Sequence, residues 1–353
     1  MYSTTNLAER VTEMPPPHPE DALAELFSGR TLSQLAAERL FGDLVKGELA
    51  EPAIAAMLVA LRIKGETVDE LIGAARALRA ADAPFDRPDY LFADSCGTGG
   101  DGSGTINIST AVAFVAAAAG LPVAKHGNRS FTSRCGSADV LEELGVKLDV
   151  PAQVSRRALD QAGVCFLFAP LYHPGLRHAG PARRALKVRT IMNVLGPCVN
   201  PAEPPVQLLG VAEARLLEPV ARTLAALGTK AALVVHGAGL DEVALHGETE
   251  AVRMTDGRIE RLTITPEAAG LARASVSSVK GGEPAENAER LAALLQGRGG
   301  GAESDAVALN AGALLMTAGI AATLREAVSL ARDTLASGEP FRRVEALAEA
   351  TRG

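Results

Sequence analysis

The 353-residue chain carries 35 Lys and Arg against 42 Asp and Glu, a formal net charge of -7. With 47% hydrophobic and 22% charged residues it holds enough apolar material for a sizeable core, which excludes wholesale disorder. The acidic balance lacks the basic field that nonspecific nucleic-acid binding needs, and the length suits two domains or one large α/β domain with an appendage.

Residues 1–20 read as a disordered tail: Glu9 and Glu13 come early, Pro15-Pro16-Pro17 closes the stretch, and no basic segment precedes an apolar one. From Asp21 to Ala81 apolar residues recur at helical spacing, as in Ala22 to Phe27 and Ile54 to Leu61. Thr31 or Ser33 is suited to cap one helix, and Pro52 sits in the first turn of another. Short helices without an intervening strand predict a small all-α domain over 21–88, closed by a break in which Pro84 and Pro88 bracket a polar stretch.

Then the pattern changes to strand (Tyr90 to Asp94), Gly-rich turn (Gly97 to Gly104), helix (Ser109 to Ala119) and strand (Leu121 to Ala124), with Gly120 just past the helix end. Further βα units appear at Val164 to Phe168 and Ala231 to Val235, and Ala306 to Arg332 reads as one Ala-rich buried helix. Such alternation predicts the α/β class: a large α/β domain over 89–353, its central sheet flanked by helices, plus the small all-α domain. The longest apolar run, Ala111 to Ala124, is broken by Gly120 and Pro122 and falls short of the roughly 18 residues of a membrane helix. Cys96, Cys135, Cys165 and Cys198 lie far apart without metal-ligand spacing, so neither a zinc site nor a disulfide framework is indicated and a reducing cytoplasm is the expected location.

Gly97-Thr98-Gly99-Gly100-Asp101-Gly102 matches G-x-G-x-x-G between a strand and a helix. A dinucleotide site also needs an acidic residue about 20 positions on, at the next strand end. Here that end reads Lys125-His126-Gly127-Asn128-Arg129, which is basic and opposes a dehydrogenase. Cations beside a Gly-rich turn and a helix start suit phosphates, since backbone N–H groups and the helix dipole favour anions. No G-K-[ST] follows the glycines, so a P-loop NTPase is disfavoured. Taken alone, a Gly-rich turn serves only to reverse the chain. Asn107 to Thr110, however, opens a helix with more hydrogen-bonding side chains than one cap requires, and Lys125 to Ser133 with Gly136 to Asp139 adds a second polar loop.

Gly97 to Asp101, Asn107 to Thr110, Lys125 to Arg129 and Gly136 to Asp139 together resemble the anthranilate phosphoribosyltransferase family. The resemblance continues through Phe168 to Pro170, His173-Pro174, Arg183-Arg184, Arg189 to Ile191, Asn193 to Pro197, Asn200-Pro201 and Gly239 to Glu242, nearly the whole chain after the tail. It implies Mg²⁺-dependent transfer of phosphoribosyl from 5-phosphoribosyl 1-diphosphate (PRPP) to the amine of anthranilate, releasing diphosphate, in tryptophan biosynthesis. It also implies a helical domain joined by part of 175–200, and a homodimer formed through that domain.

By the same resemblance, PRPP is held by Gly97, Gly100, Asp101, Thr105, Asn107, Ile108, Ser109, Thr110, Lys125, His126, Gly127, Asn128, Arg129, Ser130, Phe131, Thr132, Ser133 and Ser137. Anthranilate falls to Gly97, Asn128 and Arg183, the metal to Ser109, Asp241 and Glu242. Without it, Asp241-Glu242 would read as an exposed acidic turn and Arg183, Arg184, Lys187 and Arg189 as a solvated basic face. His173, His178, His236 and His246 lack metal-ligand spacing and are expected to be structural. Cys135 stands where many relatives have serine, a small thiol that fits by packing. No general acid or base is assigned, since an aromatic amine is already a neutral nucleophile at pH 7. The partners expected are small molecules; neither nucleic acid nor membrane is expected, and an amidotransferase partner is left open. The competing readings are a pyrimidine-nucleoside phosphorylase and a noncatalytic nucleic-acid-binding paralogue.

Overall fold

A computed structural model describes residues 19–130 and 134–352. Of the expected tail, 1–18 lie outside the described residues, while Pro19 and Glu20 open the first helix.

Four helices come first: α1 (Pro19–Phe27), α2 (Gln34–Lys46), α3 (Glu51–Lys64) and α4 (Val68–Ala80). Their ends follow from local chemistry. The Ser33 hydroxyl accepts from Ala36 N–H, Pro52 occupies the first turn of α3, and Thr67 and Glu70 form a reciprocal capping box on α4. Gly73 lets α4 lie directly on α2, because a Cβ there would stand 2.2 Å from the Gln34 carbonyl oxygen. The Glu70 carboxylate is buried and accepts from Leu32 N at 2.9 Å, Thr67 N at 2.9 Å and Lys64 Nζ at 2.8 Å. Later segments complete this bundle: a 3₁₀ turn at Pro174–Ala179 packs on α2 and α3.

Strands β1 (Ala93–Gly97), β2 (Val123–Gly127), β3 (Val164–Phe168), β4 (Val206–Gly210), β5 (Ala231–Gly237), β6 (Thr249–Thr255) and β7 (Arg258–Ile264) form one sheet in the order β3-β2-β1-β4-β5-β6-β7. The first five are parallel and the β6-β7 hairpin is antiparallel. Between them run α5 (Ile108–Ala118), α6 (Ser137–Glu143), α7 (Ala152–Ala162), α8 (Ala169–Tyr172), α9 (Gly180–Leu186), α10 (Ile191–Cys198) and α11 (Leu217–Ala226). After the sheet follow α12 (Pro284–Ala293), α13 (Gly301–Thr317), α14 (Leu324–Ala336) and α15 (Glu339–Arg352).

Alternate strand residues sort the two cores. Leu208, Leu233 and Val235 face α5, α13, α14 and α15, whereas Cys96, Leu209, Val234 and Met254 join α10, α11 and the bundle in a second apolar cluster. Chain order reverses at β1, whose neighbours are β2 and β4, so the carboxyl ends of β1, β4 and β5 border the crevice where α/β sheets bind ligands.

Several sequence expectations shift. β1 begins at Ala93 rather than Tyr90, and β2 runs on through Lys125, His126 and Gly127, so those residues belong to the sheet edge. The single helix expected over Ala306 to Arg332 is two, α13 and α14, broken where Gly319 takes φ 75° and Thr323 recaps the chain through Glu326. Both segments are apolar and Ala-rich, which hid the break. Among the described residues no helix is long and apolar enough to cross a membrane, and all four cysteines are free thiols.

Glu70→Ala strands Lys64 and two backbone N–H groups inside the bundle, and should lower the unfolding free energy by about 3 kcal/mol. The urea midpoint measures this; an unchanged midpoint would remove Glu70 from the bundle's support.

Candidate phosphate and cation site

Four strands at the carboxyl edge end in glycine: Gly97 on β1, Gly127 on β2, Gly210 on β4 and Gly237 on β5. The reason is space. A Cβ on Gly210 would lie 1.6 Å from the Asp241 carbonyl oxygen, on Gly97 2.2 Å from Asp241 Oδ2, and on Gly237 2.3 Å from the Glu242 carbonyl oxygen. A tight turn, with Gly237 and Leu240 exchanging backbone hydrogen bonds at 2.9 and 3.0 Å, folds the acidic pair back onto these bare strand ends.

There Asp241 Oδ2 accepts from Gly99 N at 2.6 Å, and Glu242 accepts from the backbone N–H of Ser109 in the first turn of α5. A carboxylate at that helix end is favoured by the macrodipole. Withdrawal from water and then the Asp101 carboxylate push the Asp241 pKa up to about 7. Burial, followed by Asp241, raises Glu242 well above its ordinary value, against the pull of Lys125.

Lys125 is 3% exposed. Its ammonium donates to the Ser95 carbonyl at 2.5 Å and the Ser109 hydroxyl at 3.2 Å, within the field of Asp94 and Glu242. Asp94 is fully buried, its pKa raised by burial, and takes hydrogen bonds from Asn200 Nδ2 at 2.9 Å and His126 N at 3.4 Å. One ammonium therefore serves a cluster of carboxylates that want positive charge, and their hard oxygens suit Mg²⁺. Among the described residues no three His, Cys, Asp or Glu side chains enclose a metal by themselves, so water or substrate oxygens would complete the shell, as Mg²⁺ ordinarily requires.

The Gly-rich turn is braced from two sides: Asp241 holds Gly99 N, and the Arg189 guanidinium donates to the Gly99 carbonyl. Asp101 accepts from Ser103 N at 3.0 Å and from its hydroxyl, and Thr105 bridges to Lys280, zipping the far arm against 276–281. Asn107 does not cap α5 with its side chain; its amide donates to the Cys135 carbonyl and its oxygen accepts from Asn287 and the Cys135 thiol. The Thr110 hydroxyl is buried without a partner among the described residues.

The second loop is less open to anions than its sequence suggests. Asp139 already takes the Ser130 and Gly136 N–H groups, and Asn128 Oδ1 takes Arg129 N at 2.7 Å. The Arg129 side chain turns to Asp139 and Glu142 and lies over the Phe168 ring. The Ser137 hydroxyl donates to the Asn128 carbonyl. Phe131, Thr132 and Ser133 lie outside the described residues. Arg183 sits on α9, where burial lowers its pKa, in the same excursion that delivers Arg189 to the turn.

Gly97, Asp101, Ser109, Lys125, Asp241 and Glu242 thus converge, while Arg129, His126 and Thr105 are engaged by neighbours of their own. His236 bonds the Val211 carbonyl at 2.9 Å and His246 the Ala238 carbonyl at 3.1 Å, both backbone contacts. Sequence reasoning missed Asn310 on α13, which is fully buried and brackets Val243, accepting from its N–H at 2.8 Å and donating to its carbonyl at 2.9 Å. The signal was present: Asn310 is the one amide in the apolar run Ala306 to Leu315. Arg189's grip on the turn and the Asp94–Asn200 pair had no comparable local sign.

Family profiles described as the α/β domain and the helical bundle domain of a glycosyl transferase family match residues 89–341 and 20–81. A Sorangium cellulosum protein named anthranilate phosphoribosyltransferase is 60% identical over 319 residues, 90% of this chain and 92% of its own. One of the same name from Aeromonas hydrophila is 51% identical, over 90% and 93%. Among solved structures, the Thermus thermophilus anthranilate phosphoribosyltransferase matches with a TM-score of 0.90 at 43% identity, covering 94% of this chain and all of that one. The Saccharomyces cerevisiae enzyme in complex with PRPP and Mg matches at 0.86 and 26%, covering 95% and 98%.

Arg189→Ala frees the Gly99 carbonyl and should speed amide hydrogen exchange in 99–104 about tenfold, leaving β4 unchanged. Unaltered exchange in the turn would show that Arg189 does not brace it.

Proposed function

Since the chain belongs to the anthranilate phosphoribosyltransferase family, we propose that it transfers phosphoribosyl from PRPP to the amine of anthranilate, releasing diphosphate. The observation that carries this reading is the docking of Asp241-Glu242 onto the glycine-ended strands, beside Lys125, the Gly-rich turn and the α5 N-terminus. That arrangement offers what displacement at a sugar carbon needs: N–H donors for a polyphosphate, and oxygen ligands for its counter-cation.

The residues divide the work by chemistry. The Gly97–Asp101 turn and the start of α5 present backbone N–H groups, and Lys125 supplies a fixed positive charge behind Ser109. Asp241 and Glu242, with Ser109 adjacent, would hold Mg²⁺, which when bound would supply neutralisation of the charge that grows on the departing diphosphate. Arg183, with its planar fork of donors, takes the acceptor carboxylate, and Asn128 and Gly97 supply the other acceptor contacts. The neutral amine attacks without prior deprotonation, so positioning replaces a general base.

Division of the chain into a bundle of 21–88 with part of 175–200, and an α/β body from 89 onward, belongs to the same proposal. So does self-association through the bundle, where Phe27 and Ile63 are apolar and exposed. The cytoplasm suits four free thiols. No observation favours the nucleoside phosphorylase or nucleic-acid readings.

Mixing the protein with PRPP and anthranilate should extinguish anthranilate fluorescence only when Mg²⁺ is present; persistence of the signal with folded protein would reject the acceptor. Arg183→Ala should raise KM for anthranilate about 30-fold and that for PRPP less than about twofold. Equal rises would reject the role of Arg183. For Asp241→Ala, the Mg²⁺ concentration giving half-maximal rate should rise about tenfold, and an unmoved titration would take Asp241 out of the cation site.

A further inference from the structure

Three buried side chains beside the phosphate loop lie end to end. Asp82, just past α4, meets Nδ1 of His173, and His173 Nε2 lies 3.0 Å from His126 Nε2. The His126 ring also bonds the Gly196 carbonyl, for which Nδ1 is the remaining nitrogen. The imidazole planes cross at 70° with centroids 4.8 Å apart, an edge-on meeting rather than a stack. The His173 side chain is 3% exposed and that of Asp82 10%, so the groups satisfy one another.

Each of the three junctions takes one hydrogen. The Gly196 carbonyl only accepts, so His126 Nδ1 carries the first. Burial, with His173 and Lys125 acting in the same direction, pushes the His126 pKa well down. That ring is neutral and its Nε2 is a bare acceptor, so His173 Nε2 carries the second hydrogen. The third lies between His173 Nδ1 and Asp82, on whichever atom holds it. Two neutral imidazoles bring two hydrogens and a carboxylate none, so the chain keeps one proton more than that inventory. Without it, two acceptors face each other at one of the three junctions, whichever tautomers the rings adopt.

The placement gives this proton leverage. Asp82 belongs to the first crossing from bundle to sheet; His173 and Gly196 belong to the long excursion that returns through the bundle. His126 is the penultimate residue of β2, two before Asn128. We propose that Asp82 and His173 are positioning residues that share one proton and through it hold His126, and with it Asn128 just past the end of β2, in the arrangement that receives PRPP. The inference rests on reading that strand end as part of the PRPP site.

Burial raises the Asp82 pKa, opposed by His173 and Arg79, which favours retention of the proton as pH rises from the acid side. The charged groups facing the chain are Arg79 and Glu203 at Asp82, and Lys125 and the buried Asp94 carboxylate at His126. Because the folded-state pKa is raised, the joint is intact below it and is lost as pH climbs through it.

The test uses the full chain at fixed Mg²⁺. Equilibrium affinity for PRPP should fall about tenfold across an alkaline limb, the effect of one buried hydrogen bond lost. Asp82→Asn places a covalently held hydrogen opposite His173 Nδ1 and should abolish that limb, while Asp82→Ala should weaken PRPP binding at every pH with the fold verified by circular dichroism. Nitrogen-15 spectra should show His126 protonated at Nδ1 and bare at Nε2 at neutral pH. An alkaline limb that persists unchanged in Asp82→Asn, a flat wild-type profile, or His126 protonated at Nε2 would each overturn the proposal. Neither binding nor spectra require turnover, so both remain readable if the anthranilate assignment fails.

Discussion

A lysine ammonium almost sealed from water is the constraint around which the site is arranged. Lys125 lies inside the carboxyl edge of a parallel sheet, fixed by the Ser95 carbonyl and the Ser109 hydroxyl. A charge withdrawn that far is tolerated only if it is paired and hydrogen-bonded. Asp94 below and Glu242 above meet that requirement, and each brings structure with it. Asp94 recruits Asn200, whose amide also bonds the Ala124 carbonyl and so fixes β2 against β1. Glu242 brings the turn after β5, which reaches the strand ends only because those ends are glycine. Asn310 then holds that turn from behind through Val243. Rigid backing of this kind keeps Asp241 in place although its own neighbours, Asp101 and Glu242, repel it.

Much of this was legible where a residue type contradicted its surroundings. Lys125 and His126 close a strand that should be apolar, and strand ends at Gly97, Gly127 and Gly237 interrupt runs with no local need for flexibility. Family resemblance carried Asp241 and Glu242, which composition alone would leave in an exposed turn. The strand β4 and the β6-β7 hairpin escaped sequence reading for different reasons. Val206 to Gly210 is short and opens just after prolines, while β6 and β7 carry Arg and Glu on their open face. Their Asp256-Gly257 turn, with φ of 46° and 80°, is nonetheless the strongest short hairpin signal in the chain. Contacts such as Arg189 on Gly99 or Asp82 on His173 join residues about 90 positions apart. Nothing in a local window encodes them.

Bundle and sheet meet over two unequal kinds of interaction, and their magnitudes decide what is free to move. The ion pairs across the seam, Arg62 with Glu213 at 2.8 Å and Arg215 with Glu66 at 2.9 Å, have arginines 37% and 41% exposed. The part-exposed Arg62–Glu213 pair is worth about 0.5 kcal/mol and salt weakens it further, whereas Arg215 serves a Glu66 side chain that is 1% exposed and needs a partner. The apolar cluster is of another order: Leu209, Val234 and Met254 on the sheet and Leu58, Leu61 and Leu78 in the bundle belong to the same buried set. Burying a side chain of that size contributes about 2 kcal/mol, so a handful outweighs the part-exposed pair several-fold. Large swings of the bundle against the sheet are therefore opposed by packing. The Gly-rich turn is held by long-range contacts from Asp241 and Arg189, and the end of β2 by the His126 chain. His173 and Arg189 both belong to the segment between β3 and β4 that packs against the bundle through α9 and the 3₁₀ turn before it, so the end of β2 and the Gly-rich turn are tied to the bundle by the same stretch of chain.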